Sequence, residues 1–293
     1  MMQKASLETI EQVRQILQSY DFALTLRQIF YQLVVKQIIP NNMSQYKRLS
    51  RLCVNGRNEG MLSEDSFTDR LRVMDKPSSW LDLSDFMVSV KSSYRKDIWQ
   101  NQHDYAEIWT EKDALRSVIS EITHQYDVPL MVVRGQVSRT AIYESYVRFK
   151  EKIDEEKDCY LYYAGDFDSS GIPIYESLVE RLKEYGEAGE SINFEWIALT
   201  PSQIDEYNLP SDLTNKKDSN SKKFVLKYGD NATELDSLPP DVLKSVVKDC
   251  IERHIDQSIL GLVQKIEVEE QRSLEEIISQ ANHPSLKGCG LAP

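Results

Sequence analysis

Cysteine and histidine are scarce in this 293-residue chain, four of each, and neither type is grouped. Cys53, Cys159, Cys250 and Cys289 have no paired spacing, which argues against a disulfide framework and a structural zinc site. His103, His124, His254 and His283 form no His-x-x-x-His pair. Long apolar runs are also missing. The nearest, Val128–Val133 and Ile29–Val35, suit a buried strand and a helix rather than a membrane span, so no membrane role is expected. No apolar segment follows Met1-Met2-Gln3-Lys4, so a secretory signal is not expected and a reducing, cytoplasmic setting is. What is present, 41% hydrophobic and 28% charged residues, is the composition of a globular protein. The length suits one large or two ordinary domains.

The net charge of −12 is unevenly distributed. Residues 1–100 hold 14 basic and 11 acidic side chains, a net of +3, which leaves 21 basic against 36 acidic, or −15, for the remainder. This asymmetry fits a basic module joined to an acidic one.

The basic module reads as three helices. Ser6 caps the first, with Leu7, Ile10, Val13, Ile16 and Leu17 at helical spacing. Thr25-Leu26-Arg27-Gln28 has the form of a capping box opening the second, whose core stripe is Leu26, Ile29, Phe30, Leu33 and Val34. The third covers 44–59, with Tyr46, Leu49, Leu52 and Cys53 on one side and Lys47, Arg48, Arg51 and Asn55 on the other. After Gly60, Phe67–Val73 reads as a strand or wing carrying Arg70 and Arg72. Such an order suits a helix-turn-helix or winged-helix module with a basic recognition face. A solvated helix in an ordinary bundle has the same pattern. Tyr31 stands apart, about 130° from its helix's apolar stripe and one turn after Arg27. A tyrosine there, with a guanidinium at i−4, is a candidate nucleophile or simply a residue packed at a domain edge.

Pro77-Ser78-Ser79 breaks the pattern, and Trp80–Ser93 reads as a connecting helix. Beyond His103, strands (105–110, 129–134, 159–164, 192–199) alternate with helices (112–126, 138–153, 171–187), which implies a mainly parallel sheet. Loops at the carboxyl edge of such a sheet hold the ligand. The first strand runs into Glu111-Lys112-Asp113, and the third into Asp166-Phe167-Asp168-Ser169-Ser170-Gly171. Glu111, Asp166 and Asp168 are therefore expected to converge, an all-oxygen set suited to Mg²⁺ or Mn²⁺. Metal held there stabilises charge on a transferring phosphoryl group. An Asp-x-Asp turn that merely caps a helix is the plainer alternative. Glu107 and Asp113 read as structural carboxylates, and Pro210–Lys223, with Lys216, Lys217, Lys222 and Lys223, as a loop. Arg139, just after the second strand, is a candidate phosphate contact.

Strand–Glu–helix followed by strand–Asp-x-Asp-x-x-Gly resembles the Toprim domain of topoisomerases, primases and related nucleases. With the preceding module, the chain is most similar to the A subunit of type IIB topoisomerase (topoisomerase VI) and the related meiotic double-strand-break transesterase. Arg27-Gln28-Ile29-Phe30-Tyr31 matches that family's Arg-x-x-Tyr-Tyr motif, with Phe30 replacing the first tyrosine. Glu111-Lys112-Asp113-Ala114 and Asp166-x-Asp168-x-x-Gly171 match its acidic motifs. Leu199-Thr200-Pro201 and Thr233–Leu238 look like its C-terminal blocks. The likeness covers most of residues 20–260 and is more specific in the Toprim half. Ser169 stands where the family often has proline.

The resemblance implies an α/β protein: a winged-helix module at 1–76, a connecting helix at 77–104, a Toprim domain with a helical extension at 105–282, and a tail at 283–293. It implies that Tyr31 attacks double-stranded DNA and stays joined to a 5′ end, with Arg27 beside it. Glu111 then serves as metal ligand or proton shuttle, Asp166 and Asp168 as ligands of Mg²⁺, and Lys47, Arg48, Arg51 and Arg139 as DNA contacts. It also implies a homodimer in which each tyrosine meets the partner's carboxylates, nucleoid association within the cytoplasm, and a separate ATPase subunit. The short stretch before the first helix speaks against ATP-driven strand passage. Two alternatives stay open: a hydrolytic Toprim nuclease in which Tyr31 is not catalytic, and an inactive DNA-binding adaptor.

Overall fold

The computed structural model describes residues 4–20, 23–67, 77–214 and 220–281. In chain order the elements are α1 (Lys4–Gln18), α2 (Leu26–Val35), α3 (Met43–Asn58), α4 (Leu83–Ser93), β1 (Asp104–Thr110), α5 (Arg116–Gln125), β2 (Leu130–Val132) and α6 (Arg139–Asp154). There follow β3 (Asp158–Ala164), α7 (Gly171–Lys183), α8 (Glu187–Glu190), β4 (Ile192–Ala198), α9 (Pro201–Glu206) and β5 (Asp212–Leu213). The chain continues through α10 (Ser221–Tyr228), β6 (Asn231–Ala232), α11 (Pro240–Glu252) and α12 (Gln257–Ala281). Contacts divide it into two compact units: residues up to 67 together with 104–253, and residues 77–103 with 254–281.

In the first unit, α1, α2 and α3 enclose a core of Ile10, Val13, Ile16, Ile29, Leu33, Leu49 and Cys53. The Thr25 capping box forms as its sequence directs: the Gln28 backbone N–H donates to Thr25 Oγ1 (3.2 Å) and the Thr25 N–H to Gln28 Oε1 (2.8 Å). Asn42 caps α3 through the Gln45 N–H at 3.0 Å. Of the expected strand or wing, Phe67 pairs with Leu24 in an isolated parallel bridge. The rest, including Arg70 and Arg72, lies outside the described residues.

The α/β half is a parallel four-stranded sheet in the order β2-β1-β3-β4. β1 is buried along almost its whole length because helices cover both faces, the usual condition of a parallel sheet. Alternate side chains point to opposite faces. Tyr105, Trp109, Leu161 and Tyr163 pack with Phe149 of α6 and with Leu178 and Leu182 of α7. Ile108 and Tyr162 face the other way, on the side of α5 and α11. Glu107 is a buried exception on the first of these faces. Both its oxygens are engaged, by Arg148 (2.7 and 2.9 Å), Tyr105 Oη (2.8 Å) and Trp109 Nε1 (2.8 Å), so its structural role is plain. Asp113 likewise pairs with Arg134 at 2.8 Å. The stretch 210–223 is not simply a loop: β5 pairs with β6, and Lys222 and Lys223 sit on α10, while Lys216 and Lys217 lie outside the described residues.

The second unit joins α4 to α12. Asp82 caps α4, and the Lys96 backbone N–H donates to Glu267 (2.9 Å) while its ammonium pairs with Glu270 (3.1 Å). Lys91 pairs with Glu275. The sequence pattern makes 77–104 a connector and attaches residues 254–282 to the sheet domain. By contact the two segments belong together, because the acidic face of α12 receives the lysines that follow and end α4. Among the described residues no helix is long and apolar enough to cross a membrane.

Candidate active site

The acidic motifs meet at the carboxyl edge of the sheet. Pairing continues one residue past the strands, with the Glu111 N–H donating to the Ala164 carbonyl at 3.0 Å. The Asp166 N–H then reaches Glu111 Oε2 at 3.4 Å. Asp168 Oδ1 accepts from the Ser170 N–H (2.8 Å) and the Gly171 N–H (2.6 Å), so one oxygen does cap the start of α7. Burial, reinforced by the neighbouring Asp166 carboxylate and more weakly by Asp168, pushes Glu111 up to about 7. Lys112 counters this. Its ammonium pairs with Asp166 at 2.5 Å and lies 3.9 Å from Glu234. Burial works most strongly against the Lys112 charge, but Asp166, Asp236 and Glu111 together outweigh it and the lysine titrates above its usual range.

Gly171 explains the glycine of the motif. A Cβ on it would lie 2.2 Å from the Asp166 carbonyl oxygen and 3.3 Å from Glu111 Oε2. Gly171→Ala is therefore expected to displace the Asp-x-Asp loop and to lower stability by about 1–3 kcal/mol, as overpacking does, despite alanine's better helix propensity. At Gly261 a Cβ meets nothing within 4 Å. Gly261→Ala is expected to gain up to about 1 kcal/mol. Urea unfolding of the two variants checks the contrast; equal effects would contradict it.

Tyr31 is not on an open face. It is 6% exposed and belongs to the N-terminal core, edge-on to Phe30 with ring centroids 5.4 Å apart. Helix periodicity located the stripe facing α1 and α3, but α2 is packed on its other side too, against the turn at Leu235–Ser237. Gln28 and Gln32 are buried for the same reason. Burial pushes the phenol up to about 12; Arg27 opposes the shift, while Asp236, Asp212 and Asp166 add to it. Arg27 lies 5.8 Å from the centroid of the Tyr31 ring. It also pairs with Glu234 and, through Nε at 3.4 Å, with Asp236 Oδ2. Asp236 is 2% exposed, its carboxyl raised by burial against the pull of Arg27 and Lys112.

Two cavities flank Tyr31. One, of about 150 Å³, is bounded by Arg27, Phe30, Asn42, Tyr46 and Glu234 among others. The other, of about 210 Å³, is lined by Tyr31, Asn41, Asp168, Ser169, Ser170 and Glu234 among others. Nucleophile candidate and acidic loop thus share one space. The basic side chains do not line it. Lys47 and Arg51 are exposed further along α3, Arg48 is half-buried, and Arg139 is exposed at the start of α6.

Glu111, Asp166 and Asp168 offer only carboxylate oxygens, the donors that Mg²⁺ and Mn²⁺ take. Among the described residues no three acidic, histidine or cysteine side chains stand as a ready cage. The Lys112 ammonium sits on Asp166. The donor chemistry fits the ion.

Comparison with family models, curated proteins and solved structures returns no match. The site therefore rests on its own geometry. Sequence reasoning missed Glu234, Asp236 and the pairing role of Lys112. The block Thr233–Leu238 stood out, but only the fold shows that it lies between Arg27 and Asp166.

Proposed function

We propose that the chain is a winged-helix–Toprim protein that cleaves double-stranded DNA with Mg²⁺ or Mn²⁺, acting as a homodimer in the cytoplasm on nucleoid DNA. The observation that carries this is the shared cavity of Tyr31 and the Asp168 loop, with Arg27 against the tyrosine ring. A phenol, a guanidinium and a set of carboxylates without histidine or cysteine suit transesterification of a phosphodiester. Tyr31 Oη forms a bond to phosphorus, the bond from phosphorus to the 3′ oxygen breaks, and a 5′-phosphotyrosyl link results. The phenolic proton passes to a carboxylate of the cluster, the role the resemblance gives Glu111, and the leaving 3′ oxygen takes up a proton. Arg27 favours the phenolate and faces the incoming phosphate charge. Glu111, Asp166 and Asp168 would hold the metal, which when bound neutralises charge building on the phosphoryl group. Lys47, Arg48, Arg51 and Arg139 contact phosphates outside the cavity.

Hydrolysis is the second reading, favoured by the burial of Tyr31: water then attacks and the tyrosine only packs. A supercoiled-plasmid assay in Mg²⁺ or Mn²⁺ separates the two. Wild type is expected to give cut DNA that carries protein until protease is added, and Tyr31→Phe to give none, with DNA affinity unchanged. Protein-free ends from both would establish the nuclease, and no cutting by wild type the adaptor.

A further inference from the structure

The guanidinium that faces phosphate in the proposed reaction is already engaged by carboxylates. We infer that the Glu234 carboxylate holds the place of a DNA phosphate on Arg27 and swings aside when the phosphate arrives. This rests on the DNA-binding reading above and deepens it by naming the group that DNA must displace.

Arg27 has two acidic partners of unlike kind. Its Nε lies 3.4 Å from Asp236 Oδ2, and Asp236 is 2% exposed. Its Nη2 pairs with Glu234 Oε2, whose side chain is 36% exposed. Breaking the first pair would strand a buried carboxylate, since Asp236 Oδ1 has no hydrogen-bond partner to compensate it. Breaking the second returns a carboxylate to water, and pairs at that exposure add little to stability. Asp236 is therefore the fixed anchor of the guanidinium and Glu234 its exchangeable partner.

The backbone keeps the exchange local. Thr233 and Phe167 trade backbone hydrogen bonds, each 2.9 Å, and the Leu235 N–H donates to Asp166 Oδ1 at 2.8 Å. The Ser237 N–H and hydroxyl both donate to the Glu234 carbonyl. With its main chain fixed on either side, Glu234 yields by side-chain rotation alone. Glu234 and Arg27 border the cavity of about 150 Å³, and Glu234 also borders that of about 210 Å³, so there is space for the rotation and for the incoming group. Phosphate suits the position because a guanidinium takes phosphate and carboxylate oxygens with the same N–H donors. Lys112, 3.9 Å from Glu234, remains paired with Asp166, so Arg27 is the cation uncovered. The contact lies within one chain and is the same whichever chain of a dimer holds the metal that meets Tyr31.

Binding of a labelled DNA duplex, measured without divalent metal so that no strand is cut, tests this. Glu234→Gln is expected to tighten binding about two- to fivefold, because the phosphate no longer has a carboxylate to displace. Asp212→Asn removes the same charge from a residue that borders the same two cavities, but Asp212 accepts from Asn41 Nδ2 at 3.0 Å rather than pairing with Arg27. Its gain is expected to be clearly smaller. In an Arg27→Gln protein, adding Glu234→Gln is expected to bring no further gain. Equal gains from the Glu234 and Asp212 variants, or a full gain from Glu234→Gln without Arg27, would reduce Glu234 to bulk charge and overturn the inference. Unchanged or weaker binding by Glu234→Gln would overturn it too. Wild type that binds no DNA would overturn the DNA reading beneath it, an outcome distinct from these.

Discussion

Asp166→Asn is expected to abolish DNA cleavage while leaving the fold in place. Asparagine keeps the side-chain shape, and its carbonyl oxygen can still accept from the Leu235 N–H. What it removes is the charge facing Lys112 and the strongest acidic neighbour of Glu111. A bound metal typically supplies several kcal/mol to a phosphoryl transition state; losing about 4 kcal/mol lowers the rate about 10³-fold. A second readout needs no activity. Mg²⁺ at a hundred times its dissociation constant stabilises the folded wild type by about 2.7 kcal/mol, and this shift in thermal unfolding is expected to disappear in Asp166→Asn. Cleavage within tenfold of wild type, or an unchanged Mg²⁺ shift, would show that the carboxyl edge does not hold the catalytic ion.

The largest stability effect is expected at Glu107, remote from the chemistry. Glu107→Ala leaves Tyr105 Oη and Trp109 Nε1 as buried donors without an acceptor, and it strips Arg148 of its counter-charge. Breaking a buried ion pair by removing one partner costs about 3–5 kcal/mol. Partial exposure of Arg148 reduces its share, but the two orphaned donors each add about 1–3 kcal/mol. Glu107→Gln, which keeps an acceptor, is expected to lose much less. Urea denaturation followed by circular dichroism measures both variants, and an alanine variant within about 1 kcal/mol of wild type would contradict the assignment.

Wherever one local signal dominated, the sequence was a sufficient guide. The Thr25–Gln28 capping box, the β-α alternation beyond residue 103 and the glycine after the Asp-x-Asp motif all appear in the fold with nearly the boundaries their patterns imply. The parallel order of the strands follows from that alternation, since helical crossovers return the chain in the same direction. What the sequence concealed depends on packing between distant segments. One periodic stripe cannot reveal that α2 is buried on two sides, so Tyr31 looked exposed. Nor does an acidic, helix-rich C-terminal half single out Asp236 among its many carboxylates. Its significance comes from Arg27, more than two hundred residues earlier. For the same reason α12 read as an appendage of the sheet domain although its partner is α4.

The central claim is a covalent bond from Tyr31 to DNA, and the most direct measurement is the chemistry of that bond. Wild-type protein is incubated with plasmid and Mg²⁺, denatured, digested with nuclease and protease, and the nucleotide-bearing peptide is sequenced by mass spectrometry. The expected result is a single modified peptide containing Tyr31, with a nucleotide attached to its phenolic oxygen through the 5′ phosphate. Cut DNA with free 5′ phosphates and no modified peptide, or a nucleotide on a different residue, would contradict the account.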